Sequence, residues 1–194
     1  MITIIDYDTG NLRSVANAFR RLGVEYRLSG DPREIAAADR VLLPGVGEAR
    51  NAMEKLRERG LGDVIRSLTV PTLGICLGMQ LLCKHSEEAD TACLGIFSHE
   101  VRKIKQASGL KIPHMGWNTF ARLQSPLFKG IAEESCVYFV HSYAVDLGKN
   151  TLAVTPYGTD FSSALGAKNF FGVQFHPEKS GMTGETILKN FLEL

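Results

Sequence analysis

Two stretches hold residues whose types and spacing can do chemistry. In "TLGICLGMQLL" (72–82) a thiol, Cys76, stands two positions from a glycine on either side, Gly74 and Gly78. In "GVQFHPEKS" (172–180) His176 follows an apolar run and has a carboxylate, Glu178, two residues on. A thiolate nucleophile needs a base, and the base needs an acceptor that orients it. In extended chain, residues i and i+2 point the same way, and Pro177 stiffens the segment between them. Glu178 can therefore hold one ring nitrogen of His176 while the other faces a sulfur. Taken alone, Cys76 reads as a small hydrophobe packed in a core, the usual fate of a free cysteine. Its glycine flanks and the "HPE" stretch point instead to nucleophilic catalysis.

A third stretch, "LLPGVGEA" (42–49), runs from an apolar segment through two glycines into a helical pattern. Glycines there can free backbone N–H groups to face an anion, although an ordinary βα turn has the same look. The chain lacks both GxGxxG and the GxxxxGK[ST] phosphate loop, so an oxyanion hole for acyl transfer fits better than a nucleotide site. The amide of Leu77, next to the nucleophile, is the natural second donor. Among the other histidines, His85 lies in the polar run "CKHSEE" and reads as a solvated surface residue. His114 and His141 suit binding or hydrogen bonding better than proton transfer.

These groups need a frame. "ITII" (2–5) is short, apolar and β-branched, as a buried parallel strand should be. Leu12, Val15, Ala16, Phe19 and Leu22 share one helical face that ends at Gly23. Strands are predicted over 24–28, 40–45 and 72–75. A helix with Ala49, Ala52, Met53 and Leu56 inward runs up to Gly60, and another starts at 77. A thiol between the strand 72–75 and that helix sits at the carboxyl edge of the sheet, where open α/β folds place their sites. The helix N-terminus there favours negative charge and so the thiolate. From about residue 94 strand-like runs dominate: "VRKIK", "VYFVHSYAV" (137–145), "LAVTPY" (152–157), "SSALGAKN" and "FFGVQF" (170–175). A last helix buries Ile187, Leu188, Phe191 and Leu192. This order predicts one α/β domain over 1–194, with a mostly parallel central sheet, flanking helices and antiparallel strands added later.

Composition sets the outer limits. The 194 residues are 44% hydrophobic and 22% charged with a net charge of +1, an ordinary globular balance without the basic footprint of a nucleic-acid binder. The opening "MITIIDYD" lacks a basic n-region followed by a long apolar stretch, which argues against a signal peptide, and no apolar run reaches membrane-spanning length. Cys76, Cys83, Cys93 and Cys136 form no CxxC pair and no zinc spacing, so a reduced cytoplasmic setting is expected.

Taken in order, "PGVG", "GICLGMQ" and "HPEKS" resemble the class I glutamine amidotransferases, and the resemblance covers essentially the whole chain. With the last motif close to the C-terminus, no room for a fused synthetase domain is expected. "IIDYDTGNLRSV", the valine of "PGVG", Met79 in "CLGMQ" and "PHMGWN" (113–118) narrow it to one branch. In that branch a glutaminase subunit supplies ammonia to a (β/α)8-barrel cyclase of histidine biosynthesis. The resemblance implies the flavodoxin-like fold of the family and a Cys76–His176–Glu178 triad working through a γ-glutamyl thioester. It implies oxyanion donors at the backbone amides of Val46 and Leu77. Gly45, Gly47, Gln80, Ser142 and Tyr143 would hold glutamine. The cyclase, as heterodimer partner, would be contacted around Asn11, Met115, Trp117, Tyr138 and Lys179, with Trp117, Tyr138 and Lys179 sealing the ammonia path. No metal or organic cofactor is implied, and no nucleic acid or membrane partner. Other branches remain open, such as the glutaminases of pyridoxal phosphate and anthranilate synthases. So do a free-standing hydrolase of γ-glutamyl peptides and a flavodoxin-like binding module with a structural cysteine.

Overall fold

The structure, a computed structural model, describes residues 1–8, 11–107 and 109–194, so Thr9 and Gly10 of the opening motif lie outside the described residues. Strand β1 (Ile2–Ile5) pairs in parallel with β2 (Tyr26–Ser29) and with β3 (Arg40–Gly45), and β4 (Thr72–Cys76) lies parallel beyond β3. All four residues of β1 and all five of β4 are buried, which is why both read as unbroken apolar runs rather than alternating ones. Helices α1 (Leu12–Arg21), α2 (Pro32–Ala36), α3 (Ala49–Glu58) and α4 (Leu61–Ser67) connect these strands, and α5 (Leu77–Leu82) follows β4 without a break. Two of them have no counterpart in the sequence-based expectation. Helix α2 has only five residues, too few for a periodic face, and rests on local chemistry: Asp31 accepts from the Arg33 amide at 2.7 Å and Pro32 opens the first turn. Helix α4 is seven residues long and starts from Gly60, whose φ is +65°.

A mostly antiparallel part follows. Short strands β5 (His85–Ser86), β6 (Thr91–Ala92) and β7 (Glu100–Lys103) form one end of the large sheet, where β5 and β7 still pair in parallel. Strands β8 (His114–Asn118) and β10 (Val137–His141) form a separate antiparallel ribbon, with β9 (Arg122–Leu123) between them in the chain. Strands β11 (Tyr143–Val145), β12 (Thr151–Tyr157), β13 (Thr159–Ala167) and β14 (Phe170–Val173) then complete the large sheet. Strand β14 lies parallel to β4 and antiparallel to β13. Helix α6 (Gly181–Glu193) ends the chain.

The run 137–145, which reads as one strand, is divided at Ser142: β10 belongs to the ribbon and β11 to the large sheet. The stretch around Trp117, absent from the strand-like runs read from the sequence, is a strand paired with β10 in the register Trp117↔Tyr138. Gly116 and Asn118, residue types depleted in strands, hide the signal.

Alternation on the parallel strands feeds two cores. Ile5, Val41 and Leu43 pack with Leu56, Ile65 and Leu81 under α3, α4 and α5. Ile2, Ile4, Leu42, Leu73 and Ile75 pack on the opposite face with Phe19 of α1, Phe191 of α6 and Phe139 of the ribbon. Among the described residues no helix is long and apolar enough to cross a membrane.

Candidate active site

Cys76 ends β4 and begins the turn into α5 with φ +53° and ψ −110°, a conformation that costs a non-glycine residue of order 1–3 kcal/mol. The turn breaks strand alternation. After Ile75, the next alternating residue would point toward α5, yet Cys76 joins the core on the ribbon side. The glycine flanks are explained by packing. A Cβ on Gly78 would lie 1.9 Å from the Leu43 carbonyl oxygen, and one on Gly74 would lie 2.7 Å from the Gly78 carbonyl group. Helix α5 therefore sits directly on the backbones of β3 and β4. Gly45 serves the same contact: its Cβ would meet the Gly78 amide at 2.7 Å.

His176 arrives from the other end of the chain, just beyond β14, which pairs with β4. Its Nδ1 lies 2.8 Å from Glu178 Oε1, and both side chains are buried. Backbone contacts hold the ring's approach: the His176 amide donates to the Tyr138 carbonyl at 2.9 Å, and Ser180 Oγ donates to the His176 carbonyl at 2.6 Å. Among the described residues His176 Nε2 has no partner in hydrogen-bonding geometry, which leaves it as the nitrogen available for proton transfer. Burial acts to lower the pKa of this imidazole. The Cys76 sulfur beside the ring and the hydrogen-bonded carboxylate of Glu178 outweigh burial and push it up to about 10.

A cavity of about 350 Å³ opens over Cys76 and His176. Val46, Gly47, Leu77, Gln80, Ser142, Tyr143 and Lys179 from the sequence-based set all line it, and Gly45 does not, because it is packed under α5. Val46 is 41% exposed and Gly47 has a φ of +99°, so the loop after β3 passes the cavity mouth in a conformation that favours glycine. Gln80 is more constrained than its place on the wall suggests. Its Nε2 donates to the Tyr143 carbonyl at 3.0 Å and to Gln174 Oε1 at 2.9 Å, leaving Oε1 as the atom for a ligand.

The remaining histidines divide sharply. His85 does lie at the surface, as expected, but it is held there by two carboxylates. It bridges Glu100 at 2.9 Å and Asp90 at 2.8 Å, and its pKa is raised, chiefly by the Asp90 hydrogen bond. It clasps the β5–β6 hairpin. His114 and His141 form a buried pair at 3.0 Å, and His141 lines the cavity. Burial pushes His114 down to about 4. Burial, joined by the charges of His114 and His176, pushes His141 down to about 3. Both are therefore neutral, suited to hydrogen bonding and not to general acid–base work.

Sequence reasoning missed two polar residues of the site. Glu88 supplies the cavity wall with its one carboxylate among the described residues, and it accepts from the Ala49 amide at the start of α3 at 2.8 Å. Gln174, fully buried, places Nε2 3.7 Å from Cys76 Sγ. Gln174 lies in "GVQFHPEKS", two residues before His176 and so on the same side of extended chain, a signal that could have found it. Glu88 sits in a polar run with no periodicity to mark it.

Four of the residues expected to meet a partner, Met115, Trp117, Tyr138 and Lys179, lie together at the surface. Met115 and Trp117 are 62% and 58% exposed on β8. Trp117 meets the Tyr138 ring edge-on at 5.9 Å between centroids, and Lys179 Nζ stands 5.9 Å from the centre of the same ring. Asn11 is the N-terminal cap position of α1, which packs against the 3-10 turn carrying Lys179.

Comparison with known proteins matches this arrangement. The family model "Glutamine amidotransferase class-I" matches residues 3–194. The chain is 51% identical to imidazole glycerol phosphate synthase subunit HisH of Bacteroides fragilis, covering 100% of this chain and 99% of that protein. It is 48% identical to the subunit of the same name from Haemophilus influenzae, covering 99% and 96%. A crystal structure described as that of a glutamine amidotransferase superposes with a TM-score of 0.76 at 20% identity, covering 100% of this chain and 98% of that one. Another, of a glutamine amidotransferase from Thermotoga maritima, gives 0.63 at 19% identity, with coverage of 99% and 82%. With a whole-length family match and relatives of about half-identical sequence, this chain belongs to the class I glutamine amidotransferases.

Proposed function

We propose that this chain is the glutaminase subunit of an imidazole glycerol phosphate synthase, working in the cytoplasm as a single domain over residues 1–194. The observation that carries the reading is the meeting of Cys76, His176 and Glu178 at one cavity, from segments about a hundred residues apart in the chain. Near-half identity to HisH subunits over the whole length favours this branch over the other glutaminases.

Cys76 Sγ attacks the side-chain amide carbon of L-glutamine, and the amides of Val46 and Leu77 receive the oxyanion. Nε2 of His176 gives its proton to the leaving ammonia, which forms the γ-glutamyl thioester. The same nitrogen then takes a proton from water as it attacks the thioester, and glutamate leaves. Glu178 orients the ring through Nδ1 throughout. Gly47, Gln80, Ser142 and Tyr143 hold the substrate's length, and Glu88 offers a negative charge for its α-ammonium. Gly45 contributes by keeping the strand end flush against α5.

Ammonia released beside Cys76 must reach an acceptor without protonating in bulk water. A (β/α)8-barrel cyclase seated on the surface of Asn11, Met115, Trp117, Tyr138 and Lys179 would receive it and form imidazole glycerol phosphate and AICAR. Two aromatics can exclude water there, and the Lys179 ammonium can pair with a carboxylate on the cyclase. The deciding experiment is a glutaminase assay with and without the cyclase and its nucleotide ligand. Stimulation by the pair supports the reading. Full turnover by the chain alone, unchanged by any cyclase, refutes the synthase assignment while leaving glutamine hydrolysis intact.

A further inference from the structure

A polar chain runs under the cavity, and one carbonyl determines the direction of every bond in it. The Tyr143 carbonyl oxygen can only accept. It lies 2.8 Å from His141 Nδ1 and 3.0 Å from Gln80 Nε2, so both of those nitrogens carry hydrogen toward it. The Gln80 amide is thereby oriented, and its second hydrogen goes to Gln174 Oε1 at 2.9 Å. That in turn orients Gln174: its oxygen faces Gln80 and its NH2 group faces Cys76 Sγ at 3.7 Å. Gln174 is fully buried and has no freedom to turn the other way, since an inverted amide would oppose two NH2 groups.

On the far side the logic continues. With Nδ1 of His141 donating, its Nε2 must accept from His114 Nδ1 at 3.0 Å, so His114 Nε2 is the acceptor toward Asn118 at 3.4 Å. The chain thus leads from β8, the strand that bears Met115 and Trp117, to the nucleophile.

We propose that Gln174 is a further catalytic residue: its side-chain amide donates to the Cys76 sulfur and steadies the negative charge there. Sulfur carries that charge as the thiolate, before it attacks and passes it to the carbonyl oxygen. It carries it again when water opens the thioester, because the C–S bond breaks with its electron pair going to sulfur. Gln80 acts as a positioning residue by holding the Gln174 oxygen, and the His114–His141 pair holds Gln80's anchor. The proposal rests on Cys76 being the nucleophile.

The test uses the full chain with its cyclase, two near-isosteric variants and a readout that does not involve glutamine. Gln174→Met removes the donor. Gln174→Glu keeps an acceptor for Gln80 but puts an oxygen beside the sulfur. Both should lower the rate of Cys76 alkylation by iodoacetamide, read at that residue by peptide mass spectrometry, about tenfold for Gln174→Met and more for Gln174→Glu. Both should lower kcat by a similar factor while KM for glutamine moves less than about threefold. The native protein provides a measurement that needs no folded variant at 174: the Gln174 side-chain amide protons should shift strongly in NMR spectra when Cys76 is alkylated. Unchanged alkylation and kcat in a folded variant, or amide protons indifferent to the sulfur, overturn the proposal. Cys76→Ala separates the two levels: if it still hydrolyses glutamine, the glutaminase reading itself falls. If it is inactive and Gln174 variants behave as wild type, only the role of Gln174 falls.

Discussion

Replacing Glu178 by Gln removes one charge from a buried site and keeps its shape. In the native protein Glu178 Oε1 lies 2.8 Å from His176 Nδ1, with both side chains almost fully enclosed. The glutamine can still accept from Nδ1 through its own oxygen, so ring orientation is kept and only the charge assistance is lost. A hydrogen bond to a charged partner contributes roughly 1.5–3 kcal/mol, which corresponds to a roughly 10- to 150-fold loss in the ring's proton affinity. His176 stands at about 10 in the native site, so the alkaline limb of kcat/KM against pH should move to lower pH in Glu178→Gln. Turnover should fall by roughly the same 10- to 150-fold, less than the loss in His176→Ala, where a group serving two proton transfers disappears. Stability carries the same signature. The folded value lies above the ordinary imidazole value of about 6.5, so the ion pair stabilises fully below that pH. The contribution decays as pH rises through about 10. Urea denaturation should therefore show native stability falling between those values more steeply than in Glu178→Gln. An unmoved alkaline limb, or a loss in Glu178→Gln equal to that in His176→Ala, would refute the assignment of Glu178 as the charge that supports the base.

Four further outcomes are expected. Cys76→Ala should abolish glutamine hydrolysis, whereas Cys83→Ala should retain it, because burial pushes the Cys83 thiol far up and leaves it inert; equal losses in a turnover assay would displace the nucleophile. Gly78→Ala should destabilise the protein by about 1–3 kcal/mol and depress kcat, since the new Cβ would force α5 off the Leu43 carbonyl; a wild-type melting curve would show the contact to be slack. Lys179→Ala should keep glutamine hydrolysis but raise the ratio of glutamate to cyclase product, and added ammonium salt should restore synthesis even with Cys76 replaced; tight coupling in the variant would move the seal elsewhere. His114→Phe should flatten the acid side of the stability profile. The native pair, held down to about 4 and about 3, rejects protons that the unfolded chain takes up below about 6.5; an unchanged acid slope would mean that His114 is not titrating on unfolding.

How much of this could be read in advance depended on how local the signal was. The meeting of Cys76, His176 and Glu178 was legible because each part announces itself over a few residues: a cysteine at a strand-to-helix junction, and a histidine with a carboxylate at the i+2 position. The glycines at 74 and 78 stood out as flanks of the thiol, though their actual neighbours were not legible; Gly45, expected to touch glutamine, instead packs against Gly78 under α5. The parallel strands were legible because burial on both faces makes them continuously apolar. The division of 137–145 at Ser142 was not, since nothing in "VYFVHSYAV" distinguishes one sheet from another. Nor were the bonds of Gln80 to Gln174 or of His114 to His141, whose partners stand 94 and 27 residues apart. His85 was legible as a surface residue but not as a paired one, because a polar neighbourhood in sequence says nothing about a carboxylate brought in from β7.

The ribbon of β8 and β10 presents two unlike surfaces on opposite sides of one pair of strands. Val137, Phe139 and His141 are buried while Tyr138 and Val140 are only half-buried, and across from them His114 is buried while Met115 and Trp117 are out in solvent. Alternate positions therefore meet different surroundings. Of the outward ones Met115, Trp117 and Tyr138 stay clear of the cavity wall, while Val140 lines it beside the inward His141. One pair of strands thus carries an exposed face and part of the cavity wall at once, so a change in the ribbon's twist would be felt on both.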